Sequence, residues 1–147
     1  MSKRTQLSAS LEDYIEAIYN IVAEKQKARS KDIAASLNVS GASVTEALRS
    51  LAKKKLINYA PYEAITLTSK GRKAAEDVVH RHNALKQFFI DVLDIKHDIA
   101  EQGACRVEHT APQEIIDQMI RFINYLETCP SDSKQLVENF RTFSRTV

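Results

Sequence analysis

The residues of this chain best suited to chemistry are a cysteine, several carboxylates and a histidine at helical spacing. Cys105, Glu108 and His109 occupy positions i, i+3 and i+4, so a helix would place all three on one face. Asp13 and Glu16, three residues apart, would likewise share a face. Thiolate, carboxylate and imidazole groups bind transition metals such as Fe²⁺, Mn²⁺, Co²⁺, Ni²⁺ and Zn²⁺. The candidate metal donors are Asp13, Glu16, His82, Cys105, Glu108 and His109.

Spacing alone leaves other interpretations of these residues open. Acidic side chains in the first turn of a helix commonly stabilise its positive end. Cys105 is also a candidate redox thiol, in a regulator that senses an oxidant or an organic ligand. A hydrolytic metalloenzyme is a third interpretation. Because the sequence has no recognisable nucleophile–base arrangement, we do not expect an enzyme.

A second group of residues suits contact with double-stranded DNA. The sequence LNVSGAS supplies a tight turn before a helix whose small polar residues lie at its N-terminal end, where a recognition helix meets base edges. Basic residues further along this helix suit contact with phosphates. The alternative is an ordinary amphipathic helix in an all-α domain. The candidate DNA-binding residues are Ser40, Ser43, Thr45, Glu46, Arg49 and Lys53.

These residues need a mainly helical scaffold. Apolar periodicity predicts helices that begin after Ser10, span 30–37, and follow Ser40 to about Lys54. Residues 57–67 change to strand-like spacing around Pro61 and predict a short hairpin. Further helices are predicted over 69–93, 96–107 and 112–128, followed by a polar tail with one short helix over 133–143. The order helix, turn, helix and hairpin is that of a winged helix-turn-helix.

Composition supports a soluble, two-part chain. The 147 residues carry a net charge of +2, but residues 1–73 hold 13 Lys and Arg against 7 Asp and Glu, whereas residues 74–147 hold 8 against 12. A basic front half fits a polyanionic partner. Two cysteines make no disulfide framework, and no apolar run predicts a signal peptide or membrane span. We therefore expect a cytoplasmic protein with no membrane partner.

The chain resembles the diphtheria-toxin-repressor-like family of iron- and manganese-dependent transcriptional repressors. The resemblance covers about residues 7–128 and rests on LEDYIEAIY, DIAASLNVSGASVTEALRSL, LTSKGR, HRH and ACRVEH. It implies a winged helix-turn-helix domain plus a helical dimerisation domain, with metal between them. It also implies a homodimer that binds a palindromic operator and controls metal-uptake genes, with no small organic substrate. We place the domains at 1–70 and 71–130, with a tail over 131–147, and expect the two-domain type without an SH3-like domain.

The resemblance also implies a metal site, although its pattern is mixed. Carried over by motif, the family's ligands fall on the six donors named above. The manganese branch usually has a carboxylate in place of Cys105, whereas the iron branch usually has methionine in place of Asp13. An ancillary site of the iron branch would need a histidine near Glu101 and a glutamate in place of Lys86. We expect Fe²⁺ or Mn²⁺ as cofactor, with Fe²⁺ preferred because ACRVEH matches the iron branch.

Overall fold

The computed structural model describes residues 7–147, apart from the side chain at position 130. These residues form two compact units, which are divided between Val79 and His80. The boundary lies within one long helix, α4, which spans Ser69–Asp91. The family-based boundaries at 70 and 130 remain a prediction about domains.

Three helices open the first unit: α1 spans Ala9–Lys25, α2 spans Ser30–Leu37 and α3 spans Gly41–Lys53. The predicted start of α1 after Ser10 was two residues late, because the helix begins at Ala9 and the side chain of Ser8 accepts the hydrogen bond from the Leu11 backbone N–H. The earlier cap satisfies a free donor at the helix start, and Ser10 then falls in the first turn.

The turn between α2 and α3 has the geometry of a helix-turn-helix. Asn38 ends α2 in the left-handed conformation (φ 53°), which asparagine tolerates better than most residues. Ser40 begins α3 in an extended conformation, and its hydroxyl accepts the Ser43 backbone N–H at 3.2 Å. The predicted start of the third helix directly after Ser40 is therefore confirmed.

A short antiparallel hairpin follows α3. Strand β1 (Ile57–Asn58) pairs with β2 (Thr66–Leu67), in the register Ile57 with Leu67. An isolated bridge between Ala28 and Ile65 adds a third extended segment beside them. The predicted hairpin is confirmed, with fewer paired residues than its apolar pattern spans. With α1–α3 it completes a winged helix-turn-helix.

The first turn of α4 packs against the backbone that leads into the hairpin. The Thr68 backbone N–H donates to the Leu56 carbonyl at 3.1 Å, and the Thr68 hydroxyl donates to the Lys55 carbonyl at 2.8 Å. A Cβ atom at Gly71 would lie 1.7 Å from the Leu56 carbonyl oxygen. The LTSKGR motif therefore needs glycine at this position, because no side chain fits there.

The core of the first unit lies between its helices and the hairpin. Ile15 and Ile18 from α1, Ile33 from α2 and Leu48 from α3 are fully buried there, with Ile65 next to β2. The spacing of these residues leaves one face of each helix for solvent. The exposed face of α3 is therefore available to a partner.

The second unit contains the rest of α4 with α5 (His97–Thr110), α6 (Gln113–Thr128) and α7 (Pro130–Thr146). Its buried cluster is small and is formed by Leu85, Ala104, Ile116 and Ile123. None of the helices in the described part of the chain is long and apolar enough to cross a membrane. With the first unit, this arrangement confirms the mainly helical fold class.

The C-terminal segment differs from its prediction. The expected polar tail with a short helix over 133–143 is a 17-residue helix, α7. The Ser133 hydroxyl donates to carbonyls of the preceding helix end, and Arg141 and Arg145 both pair with Asp94. The high polarity of the segment hid these contacts, which join α7 to the chain that follows α4.

Candidate metal centre and DNA-binding surface

Helix α5 presents the thiol, carboxylate and imidazole of the ACRVEH motif on one face. Cys105 Sγ and a ring nitrogen of His109 lie within 4.8 Å of each other. Glu108 Oε1 lies 3.3 Å from His109 Nε2. Cys105 is half-buried, and the Glu108 side chain has no exposed area. The helical spacing thus places the His109 ring beside both the Cys105 thiol and the Glu108 carboxylate.

His82 joins α4 to this group. Its Nδ1 lies 3.1 Å from Glu108 Oε1 and its Nε2 lies 2.6 Å from Glu101 Oε1. The hydrogen bond with Glu108 raises the pKa of His82 to about 9, against burial, which lowers it. A metal ligand must use a neutral nitrogen, so binding through His82 requires one of these carboxylate contacts to open.

Glu108 provides the observation that tests whether a metal fits. Its Oε2 is buried and has no hydrogen-bond partner within residues 7–147. A buried carboxylate oxygen without a partner is costly, whereas coordination to a cation would satisfy it. With a thiol and an imidazole beside it on α5, the donor set suits a divalent transition metal.

Asp13 and Glu16 belong to the first unit. They lie three residues apart on α1, and both are half-buried. Their neighbours Tyr14, Ile15 and Ala17 are buried in the core. These core contacts fix the orientation of α1 and keep both carboxylates at the edge of its buried face.

The residues at the family's ancillary site do not fit a second metal. Lys86 Nζ lies 3.3 Å from Glu101 Oε2, so an ammonium occupies the neighbourhood in which a second cation would need a carboxylate. Burial raises the pKa of Glu101, but the hydrogen bond with His82 and the charges of His82 and Lys86 outweigh it, and the pKa is lowered. Glu101 thus remains a carboxylate paired with two cationic groups.

Helix α3 carries the predicted DNA-binding residues on its exposed face. Val44, Ala47 and Leu48 bury the opposite face in the core, which fixes the orientation of the helix. Glu46 and Arg49 are exposed, and Lys53 is exposed one turn further along. The face therefore presents both charged and hydroxyl groups to a partner.

The hydroxyl groups at the start of α3 are partly used within the helix. The Ser40 and Ser43 hydroxyls lie 3.0 Å apart, and the Thr45 hydroxyl donates to the Gly41 carbonyl at 3.0 Å. Each hydroxyl retains further hydrogen-bonding capacity, because a hydroxyl oxygen can donate once and accept twice. Ser40 is foremost the cap of α3.

A groove beside α3 includes residues that the sequence motifs did not indicate. It is lined by Arg29, at the start of α2, by Arg49, and by Tyr59 and Tyr62 of the hairpin turn. Tyr62 is fully exposed and adopts a left-handed conformation (φ 65°), which is unusual for an aromatic residue. The one feature of the sequence that could have indicated Tyr62 was its position directly after Pro61. Two arginines and an exposed ring suit contact with a nucleic-acid backbone.

Comparison with known families assigns both halves of the chain. Residues 6–65 match the family model described as the iron dependent repressor, N-terminal DNA binding domain. Residues 68–136 match the model described as the iron dependent repressor, metal binding and dimerisation domain. The chain belongs to the iron-dependent repressor family. The resemblance that the motifs indicated is therefore confirmed.

Relatives within the iron-dependent repressor family are similar over most of their length. The HTH-type transcriptional regulator MntR of Bacillus velezensis is 35% identical over 127 residues, which cover 86% of this chain and 89% of that protein. An uncharacterised HTH-type transcriptional regulator of Methanocaldococcus jannaschii is 32% identical over 118 residues, which cover 80% and 94%.

Solved structures of similar proteins share the fold. The IdeR protein of T. acidophilum is 26% identical with a TM-score of 0.65, over 77% of this chain and 53% of that one. A manganese-dependent transcriptional repressor in complex with manganese is 27% identical with a TM-score of 0.67, over 78% and 53%. This chain thus spans about half the length of these solved chains.

Proposed function

We propose that this chain is a repressor that binds a palindromic operator as a homodimer when Fe²⁺ or Mn²⁺ is bound. Its family consists of metal-dependent, DNA-binding transcriptional repressors. One observation carries the proposal beyond the family: Cys105 and His109 flank Glu108, whose buried Oε2 has no hydrogen-bond partner in the described chain. These groups lie in a chain that also has a winged helix-turn-helix.

The proposed donor set combines residues of both units. Cys105, Glu108 and His109 come from α5, and Asp13 and Glu16 come from α1. His82 is the sixth proposed donor. A bound divalent ion would supply the positive charge that neutralises these carboxylates and the thiolate. Because α1 also carries core residues of the DNA-reading unit, donors on α1 and α5 that share an ion would connect DNA binding to metal availability.

The proposed mechanism is a shift between conformations. In a two-fold dimer, two recognition helices must meet half-sites about one DNA turn apart. If α1 and α5 are joined through shared donors, fewer orientations of the DNA-reading units remain. Conformations that match the operator are then more populated, and affinity for DNA rises by linkage.

The proposed contacts with DNA have two kinds. Ser43, Thr45 and Glu46 lie near the start of α3 and are proposed to contact base edges. Arg49 and Lys53 are proposed to contact phosphates, which provide affinity without selecting sequence. Ser40 completes the proposed set through its place at the helix cap. We propose that the protein acts in the cytoplasm and controls metal-uptake genes there.

Operator binding at controlled metal concentration tests the proposal. Duplexes would be selected from a random library with manganese-loaded protein and, in parallel, with protein in chelator. Affinity for the selected duplex is then measured by fluorescence anisotropy against free Mn²⁺ and, anaerobically, Fe²⁺. We expect metal to increase affinity by about 5- to 150-fold, the usual range for coupling between sites. Equal affinity with metal and with chelator contradicts the proposal.

Two variants separate loss of the metal site from loss of charge. Glu108→Gln removes a proposed ligand, whereas Glu114→Gln makes the same change at an exposed position of α6. Only Glu108→Gln is expected to lose the metal response.

Cys105→Ser tests the competing interpretation that the protein senses oxidants. A regulator that senses oxidants would lose its response to peroxide in this variant, whereas the proposed metal sensor would have a weakened response to metal.

A further inference from the structure

Lys86 and Glu101 lie outside the proposed donor set but connect to it through His82. His82 and Lys86 are four residues apart on α4 and therefore share a face. One oxygen of Glu101, on α5, lies 2.6 Å from His82 Nε2, and the other lies 3.3 Å from Lys86 Nζ. A single carboxylate thus contacts both side chains.

The second ring nitrogen of His82 has a different neighbour. Nδ1 lies 3.1 Å from Oε1 of Glu108, the buried carboxylate of the proposed metal centre. A histidine that binds metal uses one nitrogen, and its other nitrogen usually donates a hydrogen bond to a carboxylate. That hydrogen bond fixes the tautomer and the ring orientation. In this chain the two nitrogens of His82 face two carboxylates with different surroundings.

The surroundings of the two carboxylates decide their roles. The Glu108 side chain has no exposed area and belongs to the ACRVEH group, whereas the Glu101 side chain is 48% exposed. A half-exposed carboxylate readily turns towards water. The Lys86 side chain is only 19% exposed, so its ion pair with Glu101 is partly shielded from solvent. Lys86 therefore restrains Glu101 in contact with His82.

We propose that Glu101, held by Lys86, is a positioning residue that keeps a hydrogen on His82 Nε2 and leaves Nδ1 to face the metal. This inference rests on the proposed function, because it requires a divalent metal at Glu108. It also explains why Lys86 and Glu101 stand where a second metal site would need a glutamate and a histidine. The pair serves the ring of His82 instead of holding an ion.

Metal affinity is the first test. Binding of Mn²⁺ and Co²⁺ to the full chain is measured by competition dialysis for wild type, Glu101→Ala and Lys86→Met. Loss of an outer partner of a metal-binding histidine typically lowers affinity about 10- to 100-fold, and we expect that loss for Glu101→Ala. Lys86→Met is expected to lose less, and Lys86→Arg to retain wild-type affinity. Glu114→Ala and Lys134→Met, at exposed positions of the same unit, are the matched controls.

The tautomer of His82 provides a readout that general destabilisation would not change. In the Zn²⁺-loaded protein labelled with ¹⁵N-histidine, we expect the resonances of His82 to show hydrogen on Nε2 and coordination at Nδ1. Glu101→Ala is expected to give a mixture of tautomers. Glu101→Gln retains an oxygen acceptor and is expected to keep the hydrogen on Nε2.

Three outcomes distinguish this inference from the proposed function. Coordination of wild-type His82 through Nε2 would overturn the inference while leaving a metal site in place. Wild-type affinity together with an unchanged tautomer in Glu101→Ala would also overturn it. A wild-type protein that binds none of these metals would contradict the proposed function itself.

Discussion

At the scale of single residues, Cys105 sets the chemical character of the proposed metal centre. It is the one thiol among the six proposed donors, and the others are carboxylates and imidazoles. A thiolate is a softer ligand than a carboxylate, so it favours Fe²⁺, Co²⁺ and Ni²⁺ over Mn²⁺. Asp13 and Glu16 have the opposite preference, because hard oxygen ligands suit Mn²⁺.

We expect Cys105→Glu to shift activation towards Mn²⁺ and to weaken the response to Fe²⁺ and Co²⁺. Replacing sulfur with a carboxylate leaves a donor set of oxygen and nitrogen alone. Operator affinity is measured against each free metal under anaerobic, reducing conditions. Cys129→Ser, which removes the other thiol, controls for oxidation. If the Cys105→Glu protein kept the wild-type order of metals, Cys105 would have no part in selectivity.

Lys53 is predicted to contact a phosphate. It is exposed in the last turn of α3, beyond the residues proposed to meet base edges. Lys53→Ala should lower the slope of log affinity against log salt by about one unit and weaken binding to all sequences alike. Glu46→Ala should instead change which duplexes are preferred. A Lys53→Ala protein with an unchanged salt slope would place this residue away from DNA.

The sequence predicted which proposed metal donors share a helix face, because those donors are neighbours along the chain. Cys105, Glu108 and His109 share a helix, so their common face followed from the helical repeat. Glu101 and Lys86 are on different helices, and their ion pair depends on how α4 packs against α5. No periodicity within either segment encodes that pairing. Tyr62 was missed for a related reason, since turn conformation depends on the hairpin as a whole.

At the scale of elements, the close contact between α4 and Leu56 determines how the hairpin is held. We expect Gly71→Ala to destabilise the first unit by about 1–3 kcal/mol, because the added methyl group would overlap the Leu56 carbonyl. Urea unfolding followed by circular dichroism measures this change. Gly41→Ala is the matched control: nothing lies within 4 Å of its added Cβ, and we expect unchanged or increased stability. Equal changes in unfolding free energy for the two substitutions would show that the close contact of Gly71 with Leu56 does not matter for stability.

The ion pairs at Asp94 hold α7 in the second unit. Arg141, and then Arg145, lower the pKa of Asp94, so the pairs are complete above its ordinary pKa of 3.8 and are lost as the pH falls through the lowered value. Asp94→Asn removes the charge at neutral pH and retains the left-handed backbone (φ 58°), which asparagine accepts.

We therefore expect α7 of the Asp94→Asn protein to be cleaved several-fold faster in limited proteolysis at neutral pH. Glu138→Gln, at an exposed position in the middle of α7, is the control for loss of an acidic charge. Unchanged cleavage of α7 in Asp94→Asn would mean that other contacts hold the helix.

The elements themselves were largely predictable, and the exceptions have a physical cause. Strong apolar periodicity predicted α2, α3 and α6 to within a few residues, and Ser40 marked the start of α3. Residues 130–146 are rich in charge and were expected to be a tail. Their helix is held by contacts distant in sequence, such as those of Arg141 and Arg145 with Asp94. The helix propensity of the segment depends on its own residues and therefore does not predict such contacts.

At the scale of the whole molecule, exposed apolar side chains in the second unit indicate where a second copy would bind. Ile115 and Tyr125 on α6 and Leu136 and Phe143 on α7 are each more than half exposed. Leu136 and Phe143 are seven residues apart and share a face of α7, and on α6 the 47% exposed Phe122 lies seven residues after Ile115 and three before Tyr125. The family model that matches residues 68–136 is described as a dimerisation domain, so we predict that another copy of the chain covers this surface.

Tyr125→Glu should therefore weaken the homodimer. Burial of a large apolar side chain contributes about 1.5–3 kcal/mol, so the dissociation constant should rise by at least about tenfold. Analytical ultracentrifugation measures the change, and operator affinity should fall with it. Asn124→Glu introduces the same charge at the neighbouring exposed position and should leave association unaffected. Equal association constants for the two variants would place the interface elsewhere.

The small buried cluster of the second unit has a consequence for amide hydrogen exchange. The buried cluster of Leu85, Ala104, Ile116 and Ile123 contains fewer large apolar side chains than the core between α1–α3 and the hairpin. Local opening of α6 and α7 should thus depend on whether a second copy is bound. Deuterium uptake in these two helices should slow as the protein concentration rises, whereas uptake in α1–α3 should not change. The DNA-reading unit would then hold its structure at dilutions at which α6 and α7 exchange freely.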